Sequence, residues 1–166
     1  MGREDVRIRE ARPEEADLLT DLAYRSKRFW GYDEETLDDW AGPLTISPEF
    51  LEANPTWVAE DEEEGRILGF CALLFDGTEG RWELDHMWVD PDAIGTGVGG
   101  MLFLHACEAA ENLGAKRLWI LSDPGAEGFY LHMGAERIGD WPTVVGGEPR
   151  VLPVLEIRLQ PDGAED

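Results

Sequence analysis

Lysine is nearly missing from this chain. Only Lys27 and Lys116 occur in 166 residues, and with the arginines they make 14 bases against 36 acids, a formal net charge of −22. That deficit excludes nucleic acid as an expected partner, because a phosphate backbone would be repelled. Cysteine is as scarce. Cys71 and Cys107 each sit in an apolar segment and read as buried free thiols. No cysteine–histidine spacing suggests a metal site. No apolar run approaches membrane-spanning length, and the N-terminus, MGREDVRIRE, has no secretory pattern. The expectation is a cytoplasmic protein with no membrane partner. Met1-Gly2 does not open a myristoylation signal, since Val6 stands where Ser or Thr is wanted. No internal repeat or second domain is visible. An apolar content of 43% over this length suits a single domain spanning 1–166, with 160–166 a frayed tail.

Taken from the start, Val6 to Ala11 alternates Val6, Ile8 and Glu10 against Arg7 and Arg9, which predicts a half-buried strand. Pro13 sits at a first helical position, with Glu14, Glu15 and Asp17 in the first turn. Ala16, Leu19, Leu22 and Ala23 follow at helical spacing. Arg25, Lys27 and Arg28 crowd the far end, with the sign that suits the helix dipole. Trp30-Gly31-Tyr32 breaks this helix. Asp33 to Trp40 reads as a short helix capped by Asp33, and Ser47-Pro48-Glu49-Phe50-Leu51 as another helix start. Thr56 to Glu60, Arg66 to Phe75 and Arg81 to Val89 are strands two, three and four, separated by the turns Asp61–Gly65 and Asp76–Gly80. They predict an antiparallel meander. After a glycine cluster comes a helix with Val98, Leu102, His105, Ala109 and Leu113 on one stripe, closed by Gly114. Arg117 to Ser122 is strand five, parallel to strand four because a helix joins them. A short helix from Gly125 to Met133 ends at Gly134. Strand six is Glu136 to Trp141, a polar glycine-rich loop spans Thr143 to Arg150, and strand seven runs from Val151 to Leu159.

The stretch from Trp82 to Leu113 carries the chemistry. Strand, glycine loop and helix start, in that order, build an anion site: glycines let the backbone approach a ligand, and the first-turn amides of a helix have no intrahelical partners. Gly95-Thr96-Gly97-Val98-Gly99-Gly100 satisfies G-x-G-x-x-G, the dinucleotide fingerprint, and Asp123 follows it after the next strand. Three features oppose NAD(P) or FAD. Asp90 to Ile94 separate the strand from the glycines, the motif follows an antiparallel meander, and only one parallel unit is present. A nucleoside-triphosphate loop is excluded by the lack of Gly-Lys-Ser/Thr.

Three ordered segments carry a resemblance: Met87-Trp88-Val89-Asp90-Pro91, then Gly95-Thr96-Gly97-Val98-Gly99-Gly100-Met101-Leu102, then Phe129-Tyr130-Leu131-His132-Met133-Gly134-Ala135. With the order of elements, the chain resembles the GCN5-related N-acetyltransferase (GNAT) family over nearly its whole length, least from Phe29 to Pro55. The resemblance implies an α/β (α+β) three-layer fold: a mixed seven-stranded sheet with an antiparallel meander and central parallel strands four and five, flanked by helices. It implies acetyl-CoA as co-substrate. Its pantetheine arm would lie along Met87, Trp88 and Val89 between the splayed strands, with Ile94, Gly95, Thr96, Gly97, Val98, Gly99 and Gly100 around the phosphates. Asp123 stands in the region where relatives often carry Asn at the cofactor. Ile94 departs from the usual Gln or Arg, so with Asp90 and Asp92 close by, phosphate binding is left to amides and the helix dipole.

The implied activity is transfer of acetyl to a primary amine by direct attack in a ternary complex, which needs neither cysteine. The acceptor is a small-molecule amine or a peptide N-terminus, and a homodimer through the C-terminal strands is common in such proteins. A non-catalytic acyl-CoA-binding sensor is the alternative on the same fold. The resemblance places the Tyr130 hydroxyl near the sulfur as general acid. The base is open: Glu83, Asp85 and His86 sit on strand four beside the expected cleft, Glu83 leads because many relatives carry an acid there, His86 follows, and Asp123 is a further candidate. Strict alternation puts Glu83, Asp85, Met87 and Val89 on one face of strand four and Trp82, Leu84, His86 and Trp88 on the other, unless a bulge intervenes.

The acids are spread along the whole chain, which reads as a solvated surface suited to a halophile's high-salt cytoplasm, where screening relieves self-repulsion. A field favouring a cationic substrate is the second reading. The first predicts a melting temperature that rises from low to molar KCl; a flat profile would contradict it.

Overall fold

The computed structural model describes residues 5–29, 45–145 and 147–159. The expected break at Trp30-Gly31-Tyr32, the helix from Asp33 to Trp40 and the tail from Gln160 lie outside them. The strands are β1 (Val6–Glu10), β2 (Thr56–Asp61), β3 (Ile67–Asp76), β4 (Arg81–Val89), β5 (Arg117–Leu121), β6 (Glu136–Val145) and β7 (Glu148–Arg158). The helices are α1 (Ala16–Phe29), α2 (Pro48–Ala53), α3 (Val98–Asn112) and α4 (Glu127–His132). A 3₁₀ turn, Pro13–Glu15, leads into α1. The Ser47 hydroxyl caps α2 by accepting from the Phe50 amide at 3.0 Å. Among the described residues no helix is long and apolar enough to cross a membrane.

The seven strands form one sheet in the order β1-β2-β3-β4-β5-β7-β6. Every neighbouring pair is antiparallel except β4 and β5. This is the mixed sheet with central parallel strands that the resemblance implies. Helices cover both faces. On one side Leu84, Leu118 and Ile120 pack with Leu102 and Phe103 of α3 and Tyr130 of α4. On the other, Val58 and Phe70 meet Leu19, Leu22 and Ala23 of α1 and Leu51 of α2. Burial of side chains this size contributes about 1.5–3 kcal/mol each, so the two apolar layers hold the sheet between them. Cys71 is buried and Cys107 half-buried, both as free thiols.

Three expectations need correction. The buried face of α3 is Val98, Leu102, Phe103, Ala106 and Ala110, while Leu113, at the C-cap, is half exposed. The rotation follows Phe103, whose ring meets Phe129 and Tyr130 at centroid distances of 6.0 and 5.6 Å. The expected loop from Thr143 to Arg150 is instead the tip of a hairpin: β6 pairs with β7 out to Val145 opposite Glu148. Prolines do not break it, since β6 is an edge strand and Pro149 and Pro153 lie beyond the stretch of β7 that pairs with β5. The third correction concerns β4. Ala72 of β3 sits opposite His86 and Leu73 opposite Leu84, so Asp85 has no partner and forms a bulge. Alternation therefore flips in mid-strand. Trp82, Leu84, Met87 and Val89 pack on the α3 side, and His86 and Trp88 on the α1 side.

Gly69 sets how closely α3 approaches the sheet. A Cβ there would come within 2.8 Å of the Trp88 carbonyl oxygen and 2.9 Å of Leu102 Cδ1. One of these atoms is backbone in a paired strand and cannot swing away. Gly69→Ala should lower the free energy of unfolding by about 1–3 kcal/mol in urea titration; wild-type stability would show that the strand yields at this point.

Candidate active site

β4 and β5 are joined only over the start of β4. Trp82, Glu83 and Leu84 pair with Leu118, Trp119 and Ile120, after which the strands part. The cavity associated with this opening has a volume of about 520 Å³. Its walls include β4 from Leu84 to Val89, the end of α1, the glycine loop, and Phe129 and Tyr130 of α4.

The loop is built for close backbone approach. Asp90 caps a 3₁₀ turn, Pro91–Ala93, by accepting from the Asp92 amide at 2.9 Å. Gly95 and Gly97 then take φ of +84° and +94°, a region that favours glycine. Gly97 is the N-cap of α3 and offers no side-chain cap. The first intrahelical bond runs from Met101 N to Gly97 O at 3.1 Å, so the amides of Val98, Gly99 and Gly100 precede it. They open a helix of fifteen residues, whose aligned dipoles favour an anion at this end. The Thr96 hydroxyl donates to the Ala93 carbonyl, which shapes the loop. Of the residues expected at the cofactor, Met87, Trp88, Val89, Ile94, Gly95, Gly97, Gly99, Gly100, Asp123 and Tyr130 line the cavity. Thr96 and Val98 do not; Val98 lies in the core beneath the loop.

The acids beside the loop are not a bare negative patch. Asp90 is buried, and its Oδ2 takes Arg25 Nη1 at 2.5 Å and Arg66 Nη2 at 3.2 Å. Arg66 also reaches Asp92 at 2.8 Å. Burial alone would push the Asp90 carboxyl up, but these partners hold it below the usual carboxylate range. Two guanidinium groups thus offset both acids without a cation at position 94.

Tyr130 also lines the cavity and is buried, and burial, with Cys71 and Asp123 adding to it, holds its phenol well above the ordinary value. Burial thus favours the protonated phenol. Glu83 lies outside the cavity lining. Its carboxylate takes Arg81 Nε at 3.0 Å, and Arg81 stacks over Trp119 at 3.9 Å. Burial raises the Glu83 carboxyl and Arg81 opposes that rise. His86 does line the cavity. Its Nδ1 accepts from the Trp88 indole at 3.0 Å, and burial depresses its pKa against the pull of Asp85.

The sequence reading set Asp85 beside the cleft on strand four but missed Lys27. Asp85 reaches the cavity through the bulge. Lys27 is buried at the end of α1, donates to Asp123 Oδ2 at 2.5 Å and lies 5.6 Å from the centre of the Trp88 ring. Burial lowers its pKa, Asp123 counters that, and the charge of Arg150 on the β6–β7 hairpin adds to the lowering. A signal for Lys27 was present: Leu19, Leu22, Ala23, Ser26 and Lys27 follow one helical stripe, so its position belongs to the buried face.

Comparison with known proteins gives concordant results. The model of the acetyltransferase (GNAT) family matches residues 16–135. An amino-acid acetyltransferase of Ralstonia nicotianae is 35% identical over 103 residues, which cover 54% of this chain and 23% of that protein. The chain thus spans less than a quarter of that curated relative's length in the match. A GCN5-related N-acetyltransferase from Rhodopseudomonas palustris shares the fold at a TM-score of 0.75 and 21% identity, over 92% of this chain and 94% of its own. PaiA N-acetyltransferase from Thermoplasma acidophilum, solved with coenzyme A, gives a TM-score of 0.74 at 18% identity, over 92% and 98%.

Proposed function

Since the chain belongs to the acetyltransferase (GNAT) family, we propose that it moves the acetyl group of acetyl-CoA onto an amine held in the same cavity. The end of the β4–β5 pairing at Leu84 and Ile120 carries this reading, because the cavity beside it is lined both by the start of α3, whose free amides suit an anion, and by Tyr130. The residues present fit the co-substrate. Gly97 to Gly100 supply amides for a pyrophosphate, and the open edge of β4 from His86 to Val89 supplies backbone groups and apolar side chains for a pantetheine arm.

Acetyl-CoA supplies an activated acyl group. The chain's part is to hold it beside the amine, which converts a bimolecular encounter into a positioned one, and to stabilise the charge that appears on the leaving sulfur. Tyr130 suits the second of these roles, since burial keeps its hydroxyl protonated and able to donate to a developing thiolate. The acceptor is a small amine or a peptide N-terminus. The free amino acids are the first class to try, given the amino-acid acetyltransferase among the relatives.

The test is Tyr130→Phe assayed beside wild type, with CoA thiol release over an amine panel and calorimetry for acetyl-CoA. Turnover should fall by about 10²-fold, the scale of general acid–base catalysis, while acetyl-CoA affinity stays within about twofold. Wild-type binding of acetyl-CoA without transfer to any amine would make the chain an acyl-CoA sensor instead.

A further inference from the structure

The proton released by the amine needs an acceptor, and the cavity narrows the choice. Glu83 lies outside the lining and is engaged by Arg81. Two carboxylates among the described residues line the cavity, Asp85 and Asp123. Asp123 already takes Lys27 on Oδ2 and the Gly125 amide on Oδ1, at 2.5 and 2.9 Å. His86 is the remaining candidate on β4, and its tautomer decides against it. An indole N–H only donates, so the Trp88 contact at 3.0 Å makes His86 Nδ1 the acceptor. A neutral imidazole in that bond carries its proton on Nε2, and its one basic lone pair is spent on Trp88.

The Nε2 atom lies 3.6 Å from Asp85 Oδ2. Asp85 is the bulged residue of β4 and the first one after the last parallel pair with β5. It therefore stands where the strands part, with its side chain about one-third exposed. His86 is held from the opposite side by Phe50 of α2, edge-on at 5.6 Å, and by Phe70 of β3 at 6.0 Å. The indole fixes the imidazole, whose Nε2 edge lies beside the carboxylate at a distance longer than a direct hydrogen bond.

The geometry points to Asp85 as the proton acceptor of the reaction, with His86 and Trp88 as residues that position it. This rests on the acetyltransferase reading above. As a neutral amine nitrogen bonds to the acetyl carbon and the carbon–sulfur bond breaks, the nitrogen's proton passes to the Asp85 carboxylate. The sulfur leaves as a thiolate hydrogen-bonded to Tyr130. Asp85 then returns its proton to solvent.

The experiment compares wild type, Asp85→Asn, His86→Ala and His86→Gln, each purified and first checked for acetyl-CoA affinity. A glutamine keeps an N–H near the position of Nε2 but offers no titrating nitrogen. The expected result is a kcat about 10²-fold lower in Asp85→Asn at unchanged acetyl-CoA affinity, the scale of a lost general base, with His86→Gln recovering most of the rate that His86→Ala loses. Independently of turnover, ¹⁵N imidazole shifts, assigned through His86→Gln, should show the Nε2–H tautomer in wild type at neutral pH. Asp85→Asn turning over at the wild-type rate overturns the assignment. So does His86→Gln as slow as His86→Ala together with a proton on Nδ1, which would make His86 the base. A wild type inactive on every amine overturns the acetyltransferase reading itself, and is seen before any variant is compared.

Discussion

Within two consecutive residues, β4 loses regular pairing on both sides. The parallel ladder with β5 ends at Leu84, and the antiparallel ladder with β3 skips Asp85. A bulge bends its strand and raises the local twist, so a strand freed from one neighbour at that point has reason to diverge. The cleft, its apolar floor and its polar rim all follow. Before the bulge, Leu84 faces the core under α3 and α4; after it, Met87 and Val89 keep that side while His86 and Trp88 turn toward α1. Were Asp85 paired in regular register instead of bulged, Leu84 and His86 would share a face.

The glycine loop depends on the same strand end. Gly69 of β3 leaves room for Leu102, which lets α3 rest close to β3 and β4 and brings its first turn to the end of β4. Two arginines, Arg25 from α1 and Arg66 just before β3, converge on Asp90 at the join. A buried carboxylate costs stability unless it is paired and hydrogen-bonded. Here its pairing also quiets the negative charge beside an anion site, in a chain whose formal charge is −22. The pair of Lys27 and Asp123 plays a comparable part across the cavity, linking α1 to the turn that leads into α4 and Tyr130.

Much of this was legible in the residues. The Ser47 cap, the turn glycines and the glycine loop carry strong local signals that the structure follows, and β1 forms as expected, although Arg9 is half-buried and Glu10 exposed against the alternation. What was not legible depends on pairing. The bulge at Asp85 leaves no mark on composition, since it arises from the register between two strands. The β6–β7 hairpin looked like a loop because prolines and glycines punctuate it, and an edge strand tolerates both. Lys27 could have been found from its place on the apolar stripe of α1, but a cation at a helix C-terminus has a ready explanation in the dipole, and that explanation hid the other one.

If the parted ends of β4 and β5 hold an acyl-CoA, its phosphates belong at the start of α3. The most direct measurement is a crystal structure of the chain with acetyl-CoA bound. The expected result is a pyrophosphate against the amides from Gly97 to Gly100, a pantetheine arm along β4 from His86 to Val89, and the sulfur within hydrogen-bond reach of the Tyr130 hydroxyl. A nucleotide bound elsewhere, or a thioester on the far side of β4 from Tyr130, would contradict it.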